Sequence, residues 1–301
     1  MEGKLPKDLK ESLEDEVSAL KAAKGVKGVS EDYLRFSEDL AHAQAKARAE
    51  IRKNVGSGSP GAKEGEERLL SLEELSIDET VLRELLRDIE ESSAGEGREH
   101  LRSLAEMANE DSGLLKRLVT AVTLGDDARP LQEIAGKLEL PVNALVMVGR
   151  MLAAPFFAEA RHRRGKLPDV DAREAAKKDD EETVSRPGRC PTCAAPAGLG
   201  VLRRDDGARR LMCSLCGEEW LAPRLMCAFC GLREQSKLAT LCVSEKDPRW
   251  VEVCDGCRRY LKTVDERLLP DDYCLVLRAE DARTLHLDMM AENEGYVRPA
   301  L

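Results

Sequence analysis

Eight of the ten cysteines fall into four C-x-x-C pairs, Cys190/Cys193, Cys213/Cys216, Cys227/Cys230 and Cys254/Cys257, and all ten lie between Cys190 and Cys274. Two residues between cysteines allow one tight turn to aim both sulfurs at a single ion. Two such turns complete a tetrahedral four-thiolate shell. In a reducing compartment this pattern reads as metal ligation before disulfide formation. The spacing also limits which pairs can share an ion. Nineteen residues (194–212) separate the first two pairs, room for a β-hairpin, and 23 (231–253) separate the last two, but only 10 (217–226) separate the middle ones. Sequential pairing therefore predicts one site from Cys190, Cys193, Cys213 and Cys216 and another from Cys227, Cys230, Cys254 and Cys257. A crossed arrangement is the alternative.

Strand-like pieces fit the sequential scheme. Leu199–Arg203 and Arg209–Met212 flank Asp205-Asp206-Gly207, and Leu238–Val243 faces Trp250–Val253. A closed all-cysteine shell is first a folding device, because each ribbon has too few apolar residues to hold together without its ion. Redox or iron-sensing chemistry is the other use, and an all-cysteine ligand set does not separate iron from zinc. Gly217 and Gly231 follow the second cysteine of their pairs, where the backbone must bend. Ala194 and Arg258 stand there in the other two, which argues against an electron-transfer site with matched turns. Cys242 and Cys274, outside the pairs, read as small buried hydrophobes.

Upstream the periodicity is helical. Leu9, Leu13, Val17 and Leu20 mark an amphipathic helix after Pro6, and Ser30 caps a second that runs to about Lys53. GSGSPGAKEG, residues 56–65, reads as a flexible linker. Asp78 caps a helix with Val81, Leu82, Leu85, Leu86 and Ile89 on one face, and further helices are expected near 97–109, 112–124, 129–139 and 141–163. The last contains ALVMVGRMLAAPFFAEA, apolar nearly all round. It reads as a central core helix kinked or interrupted at Pro155, the alternative being a partner-binding helix. The polar stretch 164–188 separates the two halves, and a terminal helix ends at Gly295. The fold class is thus multidomain α plus small β: a helical bundle, two tandem rubredoxin-like or zinc-ribbon modules and a C-terminal helix. The boundaries fall at 1–65 (helical segment with linker), 66–165 (helical domain), 186–223 and 224–277 (ribbon modules) and 278–301 (helix and tail).

Charge excludes several functions. Of the net −10, the stretch from Arg186 to Arg278 carries 16 Lys/Arg against 13 Asp/Glu, a balance of +3, leaving −13 elsewhere. Two divalent ions in four-thiolate shells bring the cysteine region to about −1, so no nucleic-acid footprint is expected. Arg203, Arg204, Arg209 and Arg210 beside the hairpin turn could touch phosphates, but read better as a solvated hairpin or an acidic-partner contact. No membrane insertion is expected. The opening MEGKLPKDLKESLEDE lacks an apolar h-region, so the expected location is cytoplasmic. His42, His100, His162 and His286 are scattered without partners at motif spacing, and no enzyme activity is expected.

The cysteine half closely resembles the formate dehydrogenase accessory protein family. CPTCAAP (190–196), CSLCGEEW (213–220), RLMCAFCG (224–231) and CDGCRRYLK (254–262) carry the likeness. Weaker agreement lies in DETVLRELL (78–86), GRMLAAPFFAEA (149–160) and EGY (294–296), so the resemblance spans about residues 70–300. It implies a helical domain, two rubredoxin-like modules and two metal ions per chain, iron by family likeness or zinc. It further implies an assembly role in which the chain binds the catalytic subunit of respiratory formate dehydrogenase in the bacterial cytoplasm, with self-association left open. A zinc-ribbon protein associated with nucleic acid or transcription is the alternative.

Overall fold

The computed structural model describes residues 5–26, 28–55, 75–123, 129–165 and 188–299. The expected linker at 56–65 and all but the ends of the 164–188 stretch lie outside them. The chain divides into two compact units, one built on the helices that end by Gly165 and one on the cysteine half.

The helical unit contains α1 (Lys7–Lys21), α2 (Glu31–Val55), α3 (Glu79–Ser92), α4 (Gly95–Glu110), α5 (Leu114–Thr123), α6 (Arg129–Lys137) and α7 (Val142–Arg164). Its starts are written in the sequence. The Ser30 hydroxyl accepts from the Tyr33 N–H at 3.1 Å, and the Asp78 carboxylate accepts from the Thr80 N–H at 2.7 Å. The predicted face Val81, Leu82, Leu85, Leu86 and Ile89 is buried throughout. α7 is the core helix: Leu145, Leu152, Ala153, Phe156 and Phe157 are wholly buried. It is long and apolar enough to cross a membrane by length and composition, but these side chains are spent on the core of the helical unit.

Of the kink or interruption expected at Pro155, the interruption does not occur, and α7 runs from Val142 to Arg164. A proline lacks the N–H that would bond the carbonyl four residues back. Here the Met151 carbonyl accepts instead from the Gln44 side-chain amide of α2, at 2.9 Å. One side chain on a neighbouring helix thus supplies the missing donor. Nearby, the fully buried Glu159 receives two bonds from Arg52 at 2.7 and 3.1 Å, and Arg52 also reaches Asp8 at 2.9 Å, tying α1, α2 and α7 together.

The cysteine unit is where the structure departs from the expected picture. β1 (Ala197–Leu202), β2 (Arg209–Cys213), β3 (Glu219–Leu221), β4 (Leu238–Leu241), β5 (Arg249–Cys254) and β6 (Arg259–Asp265) form one six-stranded sheet in the order β3-β2-β1-β6-β5-β4. The two ribbons are therefore not separate beads. A parallel pairing of β1 with β6, Gly200 opposite Thr263, fuses them edge to edge. The expected single terminal helix is two short ones, α8 (Leu277–Arg283) and α9 (Leu285–Asn293), broken at Thr284. Gly295 takes the expected left-handed φ of 78°.

The sheet's two faces are covered differently. On one, Val251, Val253 and Tyr260 pack against Leu287 and Ala291 of α9. Beneath it the buried Lys262 ammonium bonds Asp281 of α8 at 2.5 Å and Asp288 of α9 at 2.7 Å, and the Tyr260 hydroxyl donates to Asp288 at 2.9 Å. A buried ammonium is tolerated only with such partners. On the other face, Leu211 and Leu261 pack against Ala222 and Ala228, with Trp220 and Phe229 at the margin.

Three of the four arginines near the β1–β2 turn are engaged with acidic side chains, Arg209 in a buried position and Arg204 in an exposed one. Arg203 pairs with Glu219 and Glu266, and Arg204 pairs with Asp271 at 2.8 Å. Arg209 is 2% exposed and bonds Glu252 of β5 at 2.5 Å and the Pro223 carbonyl at 2.8 Å. Cys242 and Cys274 also depart from expectation, since both are exposed. Strand β4 ends at Leu241 on a sheet edge, and Cys242 follows directly after it.

Candidate metal centres

The Cys213 and Cys254 pairs begin at the ends of β2 and β5, the other two lie in turns outside the strands, and the four turns share one backbone construction. The residue after the second cysteine is left-handed in all of them: Ala194 at φ 58°, Gly217 at 72°, Gly231 at 74° and Arg258 at 55°. The N–H of that residue then bonds the carbonyl of the first cysteine, at 2.9, 3.3, 3.1 and 2.8 Å in the same order. Ala194 and Arg258 thus adopt the conformation that glycine would take at less cost, about 1–2 kcal/mol for an L-residue. The turns are matched in shape after all. Glycine was the wrong signal to read, because the ring of bonds around the sulfurs holds the bend.

The same turns aim amides at sulfur. Thr192 N–H points to Cys190 Sγ at 3.4 Å, Leu215 N–H to Cys213 Sγ at 3.3 Å and Phe229 N–H to Cys227 Sγ at 3.4 Å. Such bonds favour the thiolate over the thiol.

The structure brings the sulfurs together in two sets, Cys190, Cys193, Cys213 and Cys216, then Cys227, Cys230, Cys254 and Cys257, with all sulfurs of a set within 4.8 Å of one another. The crossed arrangement does not occur. In the first set Cys190–Cys216 and Cys193–Cys213 are 3.5 and 3.4 Å apart; in the second, Cys227–Cys257 and Cys230–Cys254 are both 3.7 Å. A tetrahedral ion with bonds of about 2.3 Å needs sulfur–sulfur edges of about 3.8 Å. The second set meets that spacing and the first is slightly tighter.

Electrostatics point the same way. Hydrogen bonds from Cys190 and Cys213, reinforced by burial, hold the Cys193 thiol well above the ordinary range, and neighbouring thiols do the same to Cys216. Burial opposes ionisation of Cys213, yet the three thiols around it pull it well below that range. In the second set burial raises Cys227, and Cys257 to about 11, while Cys230 is lowered by the Leu232 N–H and adjacent thiols against its own burial. Burial and mutual hydrogen bonding thus push Cys193, Cys216, Cys227 and Cys257 away from the thiolate and hold Cys213 and Cys230 towards it. A divalent cation at the centre would favour four thiolates, releasing protons. The residues present fit such an ion.

Behind the ligands the two sets differ. In the first, all four cysteines are buried, and the Thr192 hydroxyl donates to Glu218 at 3.1 Å, both residues themselves buried. Gly188, just ahead of the first set, lies against the Ala228 carbonyl in a turn of the second, so closely that a Cβ would fall 1.4 Å from the oxygen. In the second, Cys227 and Cys254 are buried, Cys230 is exposed and Cys257 is half-buried.

Comparison with known proteins places this site. The model of the "FdhE, central domain" family matches residues 189–224, which contain the whole first set. A "Protein FdhE homolog" of Stutzerimonas stutzeri is 40% identical over 116 residues, 37% of this chain and 36% of the relative. One from Aquifex aeolicus is 33% identical over 112 residues, 36% of this chain and 38% of the relative. The chain thus spans a little over a third of the length of the curated relatives it matches. The crystal structure of the FdhE protein from Pseudomonas aeruginosa shares the fold, with a TM-score of 0.58 at 20% identity over 99% of this chain and 96% of that one. Together these findings support the formate dehydrogenase accessory protein family.

Proposed function

We propose that this chain, whose relationships are with the formate dehydrogenase accessory proteins, is a metal-bearing assembly factor that binds the catalytic subunit of a respiratory formate dehydrogenase in the cytoplasm and catalyses no reaction itself. The observation that carries this reading is the FdhE central-domain match across residues 189–224, coinciding with a four-cysteine cluster whose geometry suits an ion. The ligands are Cys190, Cys193, Cys213 and Cys216 for one ion and Cys227, Cys230, Cys254 and Cys257 for the other, iron or zinc. Closed four-thiolate shells leave no coordination position for a substrate, and such sites generally serve to fold and present a surface. Among the described residues His162 lies 3.9 Å from Asp8 on the exterior of the helical unit. That pair resembles a surface contact more than a catalytic dyad.

The zinc-ribbon nucleic-acid reading loses support from the arginines that prompted it. Arg203, Arg204 and Arg209 are engaged with Glu219, Glu266, Asp271 and Glu252, leaving little charge for phosphates. The test is a deletion strain together with an affinity pull-down from the native host. The expected results are loss of respiratory formate oxidation while the catalytic subunit is still made, and recovery of that subunit with the tagged chain. Intact formate oxidation, with RNA polymerase, ribosomal components or nucleic acid in the pull-down, would overturn the reading.

A further inference from the structure

The two clusters have the same donors and the same turns, but different surroundings. Around the first, one residue inside each turn is covered, Thr192 at 0% and Leu215 at 5% exposed, and all four cysteines are 3% or less. Around the second, Ala228 is covered at 3% exposed, but the other turn positions are more open. Cys230 is exposed, Asp255 and Gly256 are exposed and Phe229 is only half-buried. The Thr192–Glu218 bond that links the two turns of the first site buries a carboxylate beneath the sulfurs. At the second site the turn residue Asp255 is directed outward instead, bonding Arg258 at 2.8 Å and the Tyr296 hydroxyl at 2.8 Å. A cleft of about 660 Å³ also opens beside the second site, with Cys227, Cys254, Phe229 and Leu238 in its wall. The second set is therefore the more accessible from solvent, through Cys230 and the cleft, whereas all four cysteines of the first set are buried.

We propose that the first cluster retains its ion as a permanent part of the fold, and that the second is an exchangeable metal site at which Cys230 is the ligand that yields to an incoming soft donor, a thiolate or a sulfur-rich chelator. Exchange at such a shell is associative, because a filled d-shell cation such as zinc expands from four to five ligands readily. With an ion bound, an incoming thiolate would take the coordination position that Cys230 leaves, the freed Cys230 thiolate would be protonated from solvent, and no change of oxidation state would be needed. Cys230 is the one to leave because it is the one exposed cysteine of the eight. Of the other three, Cys227 and Cys254 are buried, Cys254 closes strand β5, and Cys257 is half-buried.

The experiment uses the full chain reconstituted with zinc alone and challenged with a chromogenic chelator. The expected result is two phases of one ion each, the fast phase absent from Cys254→Ser and the slow phase absent from Cys213→Ser. Because either variant could misfold, the unmodified two-zinc protein is also pulsed with iodoacetamide and mapped by mass spectrometry. Cys230 should be labelled along with release of the first ion, while Cys190, Cys193, Cys213 and Cys216 stay unlabelled; exposed Cys242 and Cys274 report that the reagent is active. A single release phase from two-zinc protein, or labelling of the first set before Cys230, overturns the proposal alone. A folded preparation that takes up no zinc overturns it together with the metal reading of both clusters.

Discussion

The helical unit and the cysteine unit reach stability by different routes. In the first, Leu82, Leu85, Leu115, Leu145, Phe156 and Phe157 are at most 1% exposed, a packed apolar core of the kind that holds a helical domain by itself. In the second, the six strands are short and the apolar residues lie in small groups on either face of the sheet. Its remaining cohesion is assigned to two ions and to buried charge such as Lys262 with Asp281 and Asp288. The contrast predicts that the cysteine unit depends on metal and the helical unit does not, so that each can be broken separately.

The largest expected effect is removal of both ions. A structural four-cysteine site contributes about 10–16 kcal/mol to its fold, so exhaustive chelation under reducing conditions should melt the sheet and leave α1–α7 helical. Both tryptophans, Trp220 and Trp250, lie in the cysteine unit. Their fluorescence should shift to that of exposed indole while the far-ultraviolet helical signal largely persists; loss of both signals together would dissolve the contrast. Next in size, Cys213→Ser should lower the metal content from two ions to one, read by elemental analysis. Loss of both ions would mean that the shared sheet couples the sites more tightly than their separate shells imply.

A smaller effect is expected from Phe156→Ala, which empties a fully buried site in the helical unit at a cost of about 3–5 kcal/mol. The helical transition should fall in a denaturant titration, with two ions still bound. Gln44→Ala should cost about 1–3 kcal/mol, because it strips the Met151 carbonyl of the donor that Pro155 cannot provide. Amide exchange around Met151 should then increase, and no change in exchange there would disprove the account of the uninterrupted helix. The smallest effect has the opposite sign. Ala194→Gly should stabilise the cysteine unit by up to about 1 kcal/mol, since it relieves a left-handed alanine. A destabilised variant would mean that the bend is not strained.

What could be read from the sequence follows the range of the interactions involved. Helix caps at Ser30 and Asp78, the apolar face of α3 and the C-x-x-C spacing are local, and each is visible within a few residues. Pairing of Cys190 with Cys213 and of Cys227 with Cys254 was legible because ten residues between the middle pairs leave no hairpin between them. The β1–β6 fusion was not, since it joins Gly200 to Thr263 through a parallel contact with no signature in either strand. Strands β3 and β6 were missed because Glu219–Leu221 is three residues long and Arg259–Asp265 carries three charges whose partners lie elsewhere in the unit. Pro155 misled because its compensation sits on α2. The exposure of Cys230 could not be foreseen, since the turn residues around the two clusters differ in burial and not in pattern.

The central claim is that eight cysteines form two separate four-thiolate shells. Native mass spectrometry of the anaerobically purified chain tests it most directly. The account predicts one dominant species, the polypeptide plus two metal ions, lighter by the protons that four thiolates per ion have released. A folded chain carrying no ion and eight protonated thiols would contradict it.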